Sequence, residues 1–136
     1  KINYNKLIGH SDADVGIHAI CDSIFGALSM KDIGYYFSNS DPKWKNKNSI
    51  YFLNFAKEQL KEKNFKIVNL DINFICEKPN ISKYRNQMIK KISSILQIPE
   101  KIISIKATSN EKIGFIGDGL GIAAESIVQI SNENIY

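Results

Sequence analysis

Apolar side chains recur between residues 11 and 30 at Val15, Ala19, Ile20, Ile24, Ala27 and Leu28. That three-and-four spacing predicts a helix with one face inward, and Ser11 or Asp12 is its expected N-cap. A short extended lead over residues 1–8 precedes it. "KDIGYYFSNSDPKW" reads as a loop, punctuated by Gly34 and by Asp41-Pro42. "NSIYFLNFAKEQLKEKN" predicts a second amphipathic helix with Tyr51, Leu53, Phe55, Ala56 and Leu60 inward, ending near Asn64. The period then changes from helical to two. In "FKIVNLDINFIC", Val68, Leu70, Ile72, Phe74 and Cys76 share one face and Asn69, Asp71 and Asn73 the other, which is the pattern of a strand with one face on a core. Pro79 ends it. "ISKYRNQMIKKISSIL" predicts a third helix through Ile81, Tyr84, Met88, Ile92 and Leu96. Pro99 separates that helix from a strand in "KIISIKAT". A glycine-rich connection, "EKIGFIGDGLG", leads to a last strand in "GIAAESIVQIS".

These elements predict one α+β domain over residues 1–136, with helices on one face of the sheet. No internal repeat or inter-domain linker interrupts it. The other face is mixed: Asn73, Lys106 and Glu125 accompany Ile75 and Ile127. Such a face is either solvent-exposed sheet or a surface that meets neighbouring copies, where polar groups can pair around a symmetry axis.

Composition narrows the class without naming a function. An apolar share of 43% and a charged share of 24% over 136 residues are those of a globular chain able to bury a core. No apolar run approaches the roughly 18 residues of a membrane span, and no signal peptide is visible, so no membrane partner is expected. Cys21 and Cys76 are too few for a disulfide framework and read as small apolar fillers in a reduced compartment. The net charge of +4 is carried by lysine, with Arg85 the only arginine. Base and phosphate readers rely on arginine forks, so no nucleic-acid partner is expected. The densest basic run, "KWKNKN" at 43–48, reads as a solvated loop. Heavy use of Lys, Asn and Ile has the look of an AT-rich genome.

Both histidines fall in "HSDADVGIH", residues 10–18, among carboxylates and at the mouth of an apolar run. Three readings stay open: a helix cap with an incidental histidine, a metal site, or a phosphate site that uses a metal. Asp14, His18 and Asp22 are spaced by four and share a stripe. His18 is thus either half-buried against a carboxylate or a metal ligand whose other ring nitrogen Asp14 or Asp22 holds. His10 and Ser11 stand at a helix start, where unpaired N–H groups and the dipole favour phosphate or carboxylate. In "ATSNEKIGF", residues 107–115, hydroxyls and amides at a strand end suit a phosphate, and Glu111 suits a hard cation; an ordinary turn explains the same residues. "GDGLG" precedes a strand and lacks G-K-[ST], so it is neither a P-loop nor a dinucleotide fingerprint. No G-x-S-x-G elbow is present. The residues by themselves reach metal-assisted phosphate chemistry.

The same motifs, in order, resemble the 2-C-methyl-D-erythritol 2,4-cyclodiphosphate synthase family, nearly collinearly over residues 9–130. "HSDADVGIHAICDSIFGAL" is similar to its H-S-D-x-D-x-x-x-H-A helix, and "KDIGYYFSNSDPKWK" to its D-I-G-x-x-F segment with a following D-P. "INFICEKPNI" resembles the strand into its cytidine loop, and "IKATSNEKIGFIGDGLGIAAES" its K-A-T-T-x-E block. The resemblance implies a mixed β-sheet domain assembling as a homotrimer, with active sites between subunits. It implies cyclisation of 4-diphosphocytidyl-2-C-methyl-D-erythritol 2-phosphate with release of CMP, in non-mevalonate isoprenoid synthesis. The alternative is a non-catalytic cytidine-nucleotide-binding module.

By position, the resemblance implies His18 as a ligand of Zn²⁺ or another divalent transition metal, and Glu111 as the holder of Mg²⁺ or Mn²⁺ on the diphosphate. His10, Ser11, Thr108 and Ser109 would be the catalytic contacts. Ile33, Phe37 and Asn39 would lie beside the erythritol phosphate, and Asp32 and Gly34 at the ribose. Cys76, Asn80, Ile81 and Ser82, with Ala107, Thr108 and Ser109, would line the cytidine and α-phosphate pocket. The family's other zinc ligands, a D-x-H pair on its first strand, are expected upstream of Lys1. Asn39 stands where the family more often has aspartate and Asn80 where it often has lysine, while Asp118 and Leu120 replace an Arg-x-Glu near the threefold axis. A plastid-type organelle of a eukaryote is the expected location, with a bacterial cytoplasm as the alternative.

Overall fold

A computed structural model describes residues 12–38, 40–44, 47–76, 81–109 and 122–133. Residues 1–8, Ser11, Pro79 and the glycine-rich connection, for which the sequence carries expectations, lie outside the described residues. Helix α1 spans Asp12–Ala27, a short α2 spans Ile33–Tyr36 and α3 spans Ser49–Glu62. Strand β1, Lys66–Ile75, leads through a 3-10 turn at Ile81–Lys83 into α4, Arg85–Leu96. A second 3-10 turn, Glu100–Ile102, opens β2, Ile103–Thr108, and β3 covers Ala123–Ser131. Among the described residues the sheet order is β2-β1-β3, with β1 parallel to β2 and antiparallel to β3. This is the expected mixed α+β sheet.

The buried face of β1 carries Leu70, Ile72 and Phe74, all fully inaccessible. α1 lies over it with Ile17, Ile20, Cys21, Ile24 and Phe25 inward, and α4 adds Ile92 and Leu96. The buried stripe of α1 is therefore wider than the spacing predicted: Cys21 and Phe25 join it, while Ala27 is exposed. A helix roofed by α3 as well as floored by the sheet has to be apolar over more than one stripe. In α3 the buried side chains are Phe52, Leu53, Ala56 and Leu60, whereas Tyr51 is exposed and Phe55 half-buried. Packing against α1 rotates that helix by about one residue from the expected face.

Three other departures have local causes. The segment expected as loop contains α2, because the Asp32 carboxylate accepts from Tyr35 N at 3.0 Å and so caps a turn of helix. The helix expected over residues 81–96 breaks at Tyr84 into a 3-10 turn followed by α4. In β1 the pairing runs Ile67↔Ile130 then Asn69↔Gln129, leaving Val68 as a bulged residue. The bulge shifts the alternation, so Ile67 is buried where Val68 was expected. α3 closes near Asn64, as predicted, and the φ of 60° at Asn64 is a left-handed conformation that asparagine tolerates.

Gly16 fixes how α1 meets the sheet. A Cβ built there would lie 2.7 Å from Phe74 Cζ, so the first turns of α1 rest directly on the ring. Seven residues on, Ser23 Oγ is 3.2 Å from Ser126 Oγ, opposite Ile72 in the ladder. The start of α1 thus lies at the carboxyl ends of the parallel pair β1 and β2.

Candidate functional site

The carboxyl ends of β1 and β2 carry the residues matched to the nucleotide pocket. Phe74 pairs with Ala107 and Ile75 with Thr108, and Cys76 N donates to the Thr108 carbonyl at 3.0 Å. Asn73 Nδ2 donates to Thr108 Oγ1 at 3.1 Å. Ile81 is buried beside β2 at the start of the 3-10 turn, with Ser82 exposed next to it. Cys76, Ile81, Ser82, Ala107, Thr108 and Ser109 therefore gather at one end of the sheet. The ends of parallel strands are where α/β sheets present amides and hydroxyls to ligands.

α1 carries the second group. His18 is exposed, and its ring meets Phe52 edge-on at 5.9 Å between centroids. Phe52 in turn packs on Phe37, with centroids 4.7 Å apart, and Phe37 also meets Trp44 and Phe55. Ile33 N donates to Asp22 Oδ1 at 2.8 Å, which ties the Asp32–Gly34 turn to the same helix. His18 and the turn of Asp32, Ile33 and Gly34 are thus both attached to α1, with Phe37 buried against Phe52. His10, Ser11, Asn39, Asn80 and Glu111 lie outside the described residues.

Spacing left Asp14 or Asp22 to hold the second nitrogen of His18; neither does. Asp14 Oδ1 accepts from Ser49 Oγ, and Asp22 Oδ1 from Ile33 N. Both carboxylates connect α1 to other elements, contacts that sequence spacing within one helix cannot reveal. Ser49 was not singled out from sequence, although it follows the α3 N-cap Asn48 and is a buried polar residue.

The imidazole of His18 makes no hydrogen bond among the described residues and meets the Phe52 ring, which suits one ligand of a divalent transition metal. No three His, Cys, Asp or Glu side chains converge for an ion among those residues. His18 fits the metal as one donor of a set that must be completed elsewhere. Cys21 is no nucleophile: burial first, and then the neighbouring Asp22 charge, push its thiol up to about 12. A cavity of about 470 Å³ is bounded by Leu60, Lys61, Phe65, Ile67, Leu96 and Ile98. It lies at the opposite end of β1 from Cys76 and is separate from these groups.

Comparisons with known proteins identify the family. The model of the YgbB family matches residues 1–131. A 2-C-methyl-D-erythritol 2,4-cyclodiphosphate synthase of Ehrlichia chaffeensis is 45% identical over 135 residues, covering 98% of this chain and 78% of that protein. A bifunctional enzyme IspD/IspF of Wolbachia pipientis wMel is 47% identical over 137 residues, where this chain spans 34% of the relative's length. The chain therefore covers about a third of the bifunctional relatives it matches. Among solved structures, the bifunctional IspDF from Campylobacter jejuni superposes with a TM-score of 0.80 at 35% identity, over 84% of this chain and 31% of that one. An IspF–CDP complex from Plasmodium falciparum gives 0.77 at 41% identity, over 87% of this chain and 70% of that one. With the ordered motifs, the sheet and the match over residues 1–131 in agreement, the chain belongs to the YgbB family.

Proposed function

We propose that this domain catalyses the cyclisation of 4-diphosphocytidyl-2-C-methyl-D-erythritol 2-phosphate to 2-C-methyl-D-erythritol 2,4-cyclodiphosphate. An oxygen of the 2-phosphate bonds to the β-phosphorus, and the bond from that phosphorus to the bridging oxygen breaks. CMP leaves with the bridging oxygen and its electron pair. The attacking group is already an anion, so little proton transfer is needed and the task is to hold two repelling ends together. The observation that carries this reading is the placement of the α1 start and of Thr108 at one end of the sheet.

In this reading, His10 and Ser11 bind the erythritol phosphate, with Ile33, Phe37 and Asn39 beside it. Asp32 and Gly34 orient the ribose. Cys76, Asn80, Ile81 and Ser82, with Ala107, Thr108 and Ser109, enclose the cytidine and α-phosphate. His18 is a ligand of Zn²⁺ or a related transition ion, and Glu111 of Mg²⁺ or Mn²⁺; bound cations would supply charge neutralisation between the phosphates. The test is CMP release by the full-length protein. Turnover in added divalent metal and its loss in excess chelator are expected; undiminished turnover in chelator overturns the reading.

A homotrimer belongs to the same proposal, and the outward sheet face supports it. There Lys106 Nζ bonds Asp71 Oδ2 at 2.9 Å, while Asp71 Oδ1 and Asn73 Oδ1 are buried without partners among the described residues. Ile127 beside them is 74% exposed. Buried lone acceptors cost about 1–3 kcal/mol each unless another chain supplies donors. Ile127→Asp, placing a charge in that face, is expected to shift the sedimenting species from three chains to one. An unchanged trimer would remove β3 from the interface.

A second reading, a cytidine-nucleotide-binding module without catalysis, is favoured by the single imidazole that the described residues offer a metal. Calorimetry with CDP separates the two: binding without turnover in added zinc selects the module. As to location, the bacterial sources of the curated relatives support a bacterial cytoplasm; the plastid rests on composition and pathway ancestry. Among the described residues no helix is long and apolar enough to cross a membrane.

A further inference from the structure

Asp14 and Asp22 flank His18 at four residues on either side, and the structure uses each as a tether between elements. Asp14 receives Ser49 Oγ from the first residue of α3. Asp22 receives Ile33 N, the first amide of α2, at 2.8 Å. That amide has no partner within its own helix, because the opening N–H groups of a helix point away from its ladder. The Asp32 carboxylate already serves Tyr35 N, so it leaves the Ile33 amide to Asp22. The other side of the turn is held by Tyr36: its hydroxyl accepts from Lys31 N at 3.1 Å, and its ring meets Phe25 at 5.5 Å. Asp22 is the polar tether between this turn and α1, one helical turn beyond His18.

We propose that Asp22 is a positioning residue for the nucleotide end of the substrate. Its carboxylate fixes the backbone of Asp32, Ile33 and Gly34 against the helix that presents His18, so that both groups move as one frame. The inference rests on the reading above that Asp32 and Gly34 orient the ribose. The physical need is strict, since a misplacement of about 1 Å in a reaction governed by approach costs about 100-fold. What the Ile33 amide requires is an acceptor oxygen in place, which asparagine also provides and alanine does not.

The experiment compares full-length wild type, Asp22→Ala and Asp22→Asn for KM and kcat of CMP release, CDP affinity, and amide exchange at Ile33. Asp22→Ala is expected to raise KM and the CDP dissociation constant about tenfold, as loss of a charge-assisted hydrogen bond does. Its kcat should change less than its KM. Asp22→Asn is expected within about twofold of wild type on both, the acceptor being kept. Asp22 is exposed, so neither variant should lose its thermal transition. Unchanged KM and CDP affinity in Asp22→Ala overturn the proposal, as does equal damage in Asp22→Asn. If wild type neither binds CDP nor releases CMP, the functional reading fails, and with it the nucleotide role. Exchange at Ile33 still reports the tether: faster in Asp22→Ala and wild-type-like in Asp22→Asn, or, if unchanged in both, no tether at all.

Discussion

His18→Ala is expected to lower CMP release by about a hundredfold or more, some 2.7 kcal/mol at 1.36 kcal/mol per decade. The ring is exposed and has no hydrogen-bonding partner among the described residues, only the edge of Phe52. Removing it therefore costs the fold little, and the thermal transition should stay near wild type. In the proposed role, an imidazole kept at the surface between two tethered carboxylates would serve a ligand and not packing. Loss of turnover with an intact transition is the combination that supports a ligating role. Equal loss of stability and activity would assign His18 to structure, and retained activity would remove it from the site.

Phe74→Ala should have the largest effect on stability, about 3–5 kcal/mol by urea denaturation. Against a total of about 5–15 kcal/mol for a domain, this threatens folding at 37 °C. Phe74 is fully buried, at the point where α1 comes down on β1 and Gly16 admits its ring. A cavity there loosens the first turns of α1 as well as the strand end opposite Ala107. The variant should lose nucleotide affinity at temperatures where some of it is still folded. A destabilisation below about 1 kcal/mol would mean that α1 settles into the space.

Most of the architecture was legible because it rests on periodicity. Leu70, Ile72 and Phe74 declared one face of β1, and Ile20 and Ile24 declared a helix over it. What escaped depends on partners distant in sequence. Val68 slips out of the alternation only because β3 pairs around it. Tyr51 turns outward because the inward side of α3 is chosen by α1. The short α2 follows from a single cap, which a reading based on Gly34 and Asp41-Pro42 overlooks.

The candidate site divides in the same way. Side-chain chemistry and order along the chain sufficed to pick out the HSDADVGIH and ATSNEKIGF stretches, since the capacity to hold a metal or a phosphate belongs to the residue types themselves. Only the tertiary structure decided that Asp22 serves the Ile33 amide and Asp14 the Ser49 hydroxyl, and that the start of α1 lies at the same end of the sheet as Thr108. Periodicity states which face of an element is buried. What that face meets is settled by packing between elements, where a hydrogen bond goes to whichever unpaired group is brought within reach.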